Sequence, residues 1–339
     1  RGHGIDDLVA KIAVNRAVYI ILALSILFTI VIQLDLTRAL LFTDYWQTKK
    51  ISGVNYYLSL INESSKGNWR LGSSYILEWR DAPYLNPSLS LNAAGLFKRI
   101  LGLDIKSYAA IMGYLAVFAN MALLLAAFSY IFRFSYFGYL AAAAYIFFPR
   151  TIGWNRTWSP EINFIFLALF LVFYFANFKF WKRELGLAIS AGLLFYVYPY
   201  YWTFVLVLLT VGDFWEFLRR KKIIWNYLYK YLIIAAISSW YWIYFWQLNQ
   251  LSYYKESIIR IGALYSRFPA GLYTQAVLLA SLVLFFLLKK YIFPKANLEI
   301  LADGALDKIA LGLVTSLIVL NQQLITGMQL EFNSHYLPT

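Results

Sequence analysis

The stretch KRELGLAISAGLLFYVYPYYWTFVLVLLTVGDFWEFLRRKK, residues 182–222, settles how this chain is built. Its interior, Leu185–Leu218, is too long for a single passage through a bilayer core, which about 20 apolar residues span. Pro199 stands near the middle, where a proline ends or kinks a helix. Lys182 and Arg183 lie at one end and Arg219, Arg220, Lys221 and Lys222 at the other, while the turn at Pro199 carries no basic residue. Because Lys and Arg collect on the cytoplasmic side, the stretch is expected to cross twice, out to Pro199 and back.

Extended in both directions, the same reading gives about nine spans: Ala17–Leu34, Tyr108–Phe132, Tyr136–Pro149, Glu161–Phe180, Leu185–Pro199, Tyr200–Leu218, Tyr231–Gln247, Leu272–Leu288 and Ile309–Thr326. Basic residues fall on alternate connections. Expected cytoplasmic segments hold Lys11 and Arg16, then Arg133, then Lys179 with 182–183, then 219–222 with Lys230, then Lys289, Lys290, Lys295 and Lys308. Expected outer segments hold Arg150 and Arg156, then Lys255, Arg260 and Arg267. The third and fifth spans are short. Omitting either alone would put residues 219–222 outside; omitting both keeps parity, and the length of Leu185–Leu218 argues against that. The expected fold is an all-α polytopic transmembrane bundle, one domain over residues 1–339. It would sit in the plasma membrane with its N-terminus in the cytoplasm and a long extracytoplasmic loop at Asp35–Ser107.

Composition excludes several classes. A chain 61% apolar and 14% charged, with mean hydropathy +0.59, is not an ordinary soluble domain. Its 28 Tyr and 12 Trp suit the aromatic belts of a bilayer-spanning protein. The net charge of +13 is explained by basic loops facing anionic lipid, so nucleic acid is not an expected partner. The absence of Cys excludes disulfides, thiolate catalysis and Cys-ligated metal. His3 and His335, at opposite ends, exclude haem held by a histidine pair. A chain running from Arg1 to Thr339 reads as a fragment, with a further C-terminal region expected and the first span as an anchor.

The long loop has its own pattern. Ile51, Val54, Leu58 and Ile61 recur at helical spacing among Lys49, Lys50, Asn55 and Asn62, which predicts an amphipathic helix on the membrane surface, closed by Gly67. A second helix follows, with Asn86 as N-cap, Pro87 in its first turn, Leu89, Ala93, Leu96, Phe97 and Ile100 as its apolar face, and Gly102 as its stop. Asp104 then caps the second span. Between the two helices, NWRLGSSYILEWRDAPYLNP (68–87) is polar and turn-rich, a place for a binding site.

With Cys absent and His scarce, acid–base work must fall to carboxylates. On the outer side Asp44 is a candidate general base, with helix N-cap as its alternative role. Glu78 and Asp81 are further candidates, although they flank Arg80 and a local ion pair serves equally. Arg150, Arg156 and Arg260 are candidate phosphate ligands, because the guanidinium fork donates two parallel hydrogen bonds; snorkelling beside Trp154 and Trp158 is the alternative for the first two. His335 and Tyr45 are candidate substrate contacts. The chain has no GxxxxGK[ST], HExxH or GxSxG.

The order of these parts resembles the GT-C superfamily, integral-membrane glycosyltransferases that use polyprenyl-phosphate-linked sugars, including the protein mannosyltransferase-like and aminoarabinose transferase-like groups. A first span leads to a long outer loop with an acidic residue near its start, FTDYWQTKK around Asp44. A surface helix and a Pro-bearing helix follow in YLNPSLSLNAAGLFKRILGLDIKSYAAI, then an R-x-x-x-P element in NRTWSPEINFIFL with Arg156 and Pro160. The close, LNQQLITGMQLEFNSHY, is similar to an N-x-x-x-x-G…H pattern carried by Asn321 or Gln322, Gly327 and His335. By resemblance, Asp44 would deprotonate or orient the acceptor, Arg156 would hold the donor phosphate, and the sugar carbon would invert. The family often shows two adjacent acidic residues in this loop, whereas Tyr45 follows Asp44 here, which leaves the base and any divalent metal open. The implied partners are a polyprenyl-phosphate sugar donor, the bilayer, and a glycan, lipid or protein acceptor. The alternative is a non-enzymatic lipid or glycan transporter or flippase, which would place ionisable residues mid-membrane and pair its halves as repeats. A structural subunit without a site is a third reading.

Overall fold

The computed structural model describes residues 3–34, 54–72, 83, 89–147, 161–221, 225–252, 254, 264–265, 267, 271–291, 301–302 and 304–329. In chain order the helices are α1 His3–Ile32, α2 Val54–Ser65, α3 Leu89–Leu101, α4 Ile105–Ile131, α5 Tyr136–Phe147, α6 Glu161–Phe175 and α7 Phe180–Leu194. They continue as α8 Pro199–Arg220, α9 Trp225–Asn249, α10 Leu272–Tyr291, α11 Ala305–Leu320 and the single turn α12 Gln323–Thr326. The described residues are helical in class, as expected, with one two-residue antiparallel pair beside the helices, β1 Leu264–Tyr265 with β2 Met328–Gln329. It ties the chain after α9 to the chain after α12. Three of the helical stretches, Ile105–Ile131, Pro199–Arg219 and Ala305–Thr326, are long and apolar enough to cross a membrane, and Arg16–Ile32, Tyr136–Phe147 and Ile162–Phe175 are shorter apolar helices.

Within the 182–222 stretch the described residues form two helices. α7 ends at Leu194, and Pro199 opens α8 instead of ending α7, with Tyr198 as an extended N-cap. A proline in the first turn removes an N–H that has no helical partner anyway. Lys182 and Arg183, expected in a loop, stand in the first turns of α7. Pro149, the other expected helix end, lies outside the described residues.

Side-chain ties fix the direction of each helix. Lys230 on α9 reaches Glu184 on α7 and Asp213 on α8; Lys308 on α11 donates to the Tyr174 carbonyl on α6; Lys289 on α10 pairs with Asp307 on α11. The Ala302 amide donates to the Ile131 carbonyl at 2.8 Å, bringing the end of α4 to the same place. The ends of α4, α6, α8 and α10 therefore meet the starts of α7, α9 and α11 at one basic end. At the opposite end the Gln33 amide donates to the Gly113 carbonyl at 3.3 Å, joining the close of α1 to the early turns of α4. Neighbours in sequence thus run antiparallel.

The core uses small residues where helices approach. An added Cβ at Gly186 would stand 2.3 Å from the Phe173 ring, and one at Gly192 would stand 2.8 Å from Ile237. Around them Val117, Leu124, Phe170, Ala188, Ala191 and Val205 are buried. Three buried hydroxyls are satisfied within their own helices: Thr29, Ser129 and Ser190 donate to carbonyls four residues back at 2.6–2.7 Å. The outside is apolar too. Leu232, Trp240, Trp246, Val283 and Leu284 are each more than half exposed, a surface suited to lipid and not to water.

The α2–α3 pair closes the end opposite the basic one. Gly67, at φ +99°, terminates α2 with Gly67 N–H to Ser64 O at 3.0 Å and Asn68 N–H to Glu63 O at 3.1 Å, the Schellman pattern. Gly102, at φ +63°, follows α3. Asp104 caps α4, accepting from the Lys106 and Ser107 amides at 2.8 and 3.0 Å. The expected surface position differs between the two helices. Leu58 and Ile61 of α2 turn inward with Leu60, packing on Leu91, Ala94 and Tyr108. On α3 the small residues Ser90, Ala94 and Gly95 face inward, and the expected apolar face of Leu89, Ala93, Leu96, Phe97 and Ile100 is exposed. The expected N-cap Asn86 and first-turn Pro87 lie outside the described residues.

Candidate functional site at the end opposite the basic cluster

Asp44, Tyr45, Glu78, Asp81, Arg150, Arg156, Arg260 and His335 all lie outside the described residues. Their segments share an attachment, however. Residues 35–53 join the close of α1 to α2, residues 73–88 lead into α3, residues 148–160 join α5 to α6, and residues 255–263 and 330–339 flank the β1–β2 pair. Every one of these connections departs from the end opposite the basic cluster.

The described frame there is built from several elements. The Leu89 amide donates to the Tyr196 carbonyl at 2.8 Å, seating the start of α3 on the α7–α8 turn. The buried Ser90 hydroxyl bonds Asn163 Oδ1 at 3.1 Å, tying the same turn of α3 to the start of α6. The Tyr196 hydroxyl donates to the Ile237 carbonyl at 2.6 Å and holds α9 alongside. Next to that junction Phe195 and Trp202 stack, with ring centroids 4.4 Å apart. At the close of α11, Asn321 accepts from the Gln275 amide at 2.8 Å and Gly327, at φ +72°, ends α12. Asn321 and Gly327 therefore terminate helices here, with the Arg267 guanidinium beside Gly327.

Beneath this frame lies an apolar cavity of about 370 Å³. Tyr145 of α5, Phe164 of α6, Tyr201 and Phe204 of α8, and Val319 and Leu320 of α11 contribute to its wall. Most of these stand in the last turn of α5 or α11 or the first turn of α6 or α8, so the cavity sits under the connections just described. The Tyr201 hydroxyl is buried and has no hydrogen-bond partner among the described residues, and unsatisfied buried hydroxyls are uncommon. A cavity of this size and apolar lining suits a hydrocarbon group, with the Tyr201 hydroxyl in its wall. Sequence reading did not find Tyr145 or Tyr201, because a wall assembled from several helices leaves no motif.

Asp104 stands at the same end, outside the apolar helices. The Ser107 hydroxyl, donating to its carboxylate at 2.6 Å, and the two capping amides hold its pKa below the ordinary value of 3.8. Among the described residues no three His, Asp or Glu side chains gather as a metal-binding group. Comparisons with protein-family models, curated proteins and solved structures found no match.

Proposed function

We propose that this chain crosses the plasma membrane nine times with its basic end in the cytoplasm. In this reading it transfers a sugar from a polyprenyl-phosphate carrier to a cell-envelope acceptor on the outer face. One observation carries the reading: the apolar cavity lies at the end from which all the segments bearing candidate carboxylates, arginines and His335 depart. A lipid-linked sugar needs that combination, an apolar slot for its tail beneath polar groups for its phosphate and sugar. The ionisable groups Glu184, Asp213 and Lys230 gather near the basic ends of their helices, which favours surface chemistry over a mid-membrane translocation path.

In this mechanism the acceptor hydroxyl oxygen bonds to the anomeric carbon as the bond from that carbon to the carrier phosphate breaks, with inversion. Asp44 takes or orients the hydroxyl proton. Arg156, with Arg150 and Arg260, meets the charge growing on the departing phosphate. Glu78, Asp81, Tyr45 and His335 are sugar and acceptor contacts, and no step is routed through a metal.

Transfer by purified protein in lipid tests the reading. Asp44→Asn is expected to abolish turnover while membrane insertion is kept; unchanged turnover would remove Asp44 from the mechanism. Arg156→Ala is expected to lower turnover by about 10²–10³, the usual effect of losing one donor to a developing anion, and to weaken donor binding more than acceptor binding. The opposite pattern would remove Arg156 from its role.

A further inference from the structure

The basic end holds a second cavity, of about 530 Å³, walled by α6, α7, α8, α9 and α11. On one wall the Lys230 side chain, 2% exposed, reaches Asp213 Oδ1 and Oδ2 at 3.0 and 2.8 Å and Glu184 Oε2 at 3.2 Å. Arg183 places Nε and Nη2 at 3.1 and 2.7 Å from Glu184 Oε1. The Tyr231 hydroxyl donates to Asp213 Oδ2 at 2.7 Å. Each carboxylate oxygen of this pair already faces a cation. At the rim Lys289 pairs with Asp307, and Glu216 and Arg219 stand one turn apart on α8.

Lys308 differs from the other cations. Its ammonium donates to the Tyr174 carbonyl at 2.7 Å and lies 5.6 and 5.9 Å from the Tyr174 and Phe175 ring centroids. No carboxylate stands at ion-pair distance from it among the described residues. An ammonium has three N–H donors, so two remain beyond the Tyr174 carbonyl, at a cavity whose wall Lys308 shares and where, among the described residues, Glu184, Asp213 and Asp307 are each ion-paired to another cation. Exposed Trp215 and Phe180 contribute to the wall, as side chains do where a bilayer meets water.

We propose that this cavity is a phosphate-group site, with Lys308 as the principal ligand and Arg219 as the outer one. It is separate from the transfer site and does not depend on that reading. The group is carried either by an anionic phosphodiester lipid of the adjacent leaflet or by a free phosphate. Both sources present oxygens that an ammonium and a guanidinium bind by charge-assisted hydrogen bonds.

The full chain, purified in detergent, would be mixed with phosphatidylglycerol or phosphatidylcholine, and bound lipid read by native mass spectrometry. A parallel arm would compare the thermal midpoint in sodium phosphate with that in sodium chloride at equal ionic strength. The wild type is expected to retain phosphatidylglycerol over phosphatidylcholine. Lys308→Met should lose about tenfold of that preference, the effect of one charge-assisted hydrogen bond. Arg219→Gln changes an exposed side chain and should lose a smaller part in the same direction. A phosphatidylglycerol preference without a phosphate-specific shift identifies the lipid; a phosphate-specific shift that Arg219→Gln reduces identifies the free anion. Equal retention of both lipids with no phosphate-specific shift, or an unchanged response in both variants, would overturn the site.

Discussion

Gly95 and Gly312 both lie inside helices, yet only one of them is there for want of space. A Cβ at Gly95 would stand 2.4 Å from Ser64 Cβ and Oγ and 2.9 Å from the Ser65 amide nitrogen, so α2 and α3 meet backbone to backbone at that point. A Cβ at Gly312 meets nothing within 4 Å. Gly95→Ala is therefore expected to destabilise by about 1–3 kcal/mol, as overpacking does. Gly312→Ala should be neutral or stabilising by about 0.5–1 kcal/mol through helix propensity. Thermal unfolding in detergent separates the two, and equal effects would mean that α2 and α3 do not touch there. Asp104 carries a pH signature. Its folded pKa lies below its ordinary 3.8, so its capping contribution is present above that value and is lost as pH falls through the lower, folded one. The midpoint difference between wild type and Asp104→Ala should therefore be constant near neutrality and shrink on acidification below about 3.8. A difference that grows on acidification would contradict the capping role.

Elements differ in how much of them the sequence reveals. The stops at Gly67 and Gly102 and the cap at Asp104 are legible because each depends on one residue type at one position. The division of residues 185–218 is legible from length, and Pro199 marks it, although as the start of α8. Which face of α2 turns inward is not legible, because Leu60 is buried beside Leu58 and Ile61 and periodicity cannot distinguish lipid from a neighbouring helix. Nor is the cluster of Glu184, Asp213 and Lys230 legible as a cluster. Charge counting groups Lys230 with the loop cations, whereas its side chain is 2% exposed between two carboxylates on other helices. The available signal is the presence of Glu184 and Asp213 inside apolar helices, where an ionisable residue needs a partner. Lys230→Met leaves both carboxylates without their shared cation and should cost about 3–5 kcal/mol. Adding Glu184→Gln and Asp213→Asn should restore much of it, because the uncompensated charge is then gone. Unfolding temperatures of the single and triple variants check this, and a triple variant no better than the single would show that the cluster does not act through charge pairing.

For the molecule as a whole, two ends with different chemistry follow from one alternation of apolar helices. Cations and their paired carboxylates collect where α4, α6, α8 and α10 end; the α2–α3 cap, the apolar cavity and the helix ends that border the candidate segments lie at the other end. Only sidedness connects this polarity to outer-face transfer. The frame of the candidate site is legible from the charge alternation, while its candidate side chains rest on the residue chemistry of the outer segments and on the family resemblance. Because the chain has no Cys, single-cysteine variants report sidedness without background. Lys66, in the turn after α2, and Lys221, closing α8, are both exposed. Treating intact cells with a membrane-impermeant maleimide is expected to label Lys66→Cys at once and Lys221→Cys only after lysis. Labelling of Lys221→Cys in intact cells while Lys66→Cys stays protected would reverse the molecule in its membrane and contradict the proposed transfer on the outer face.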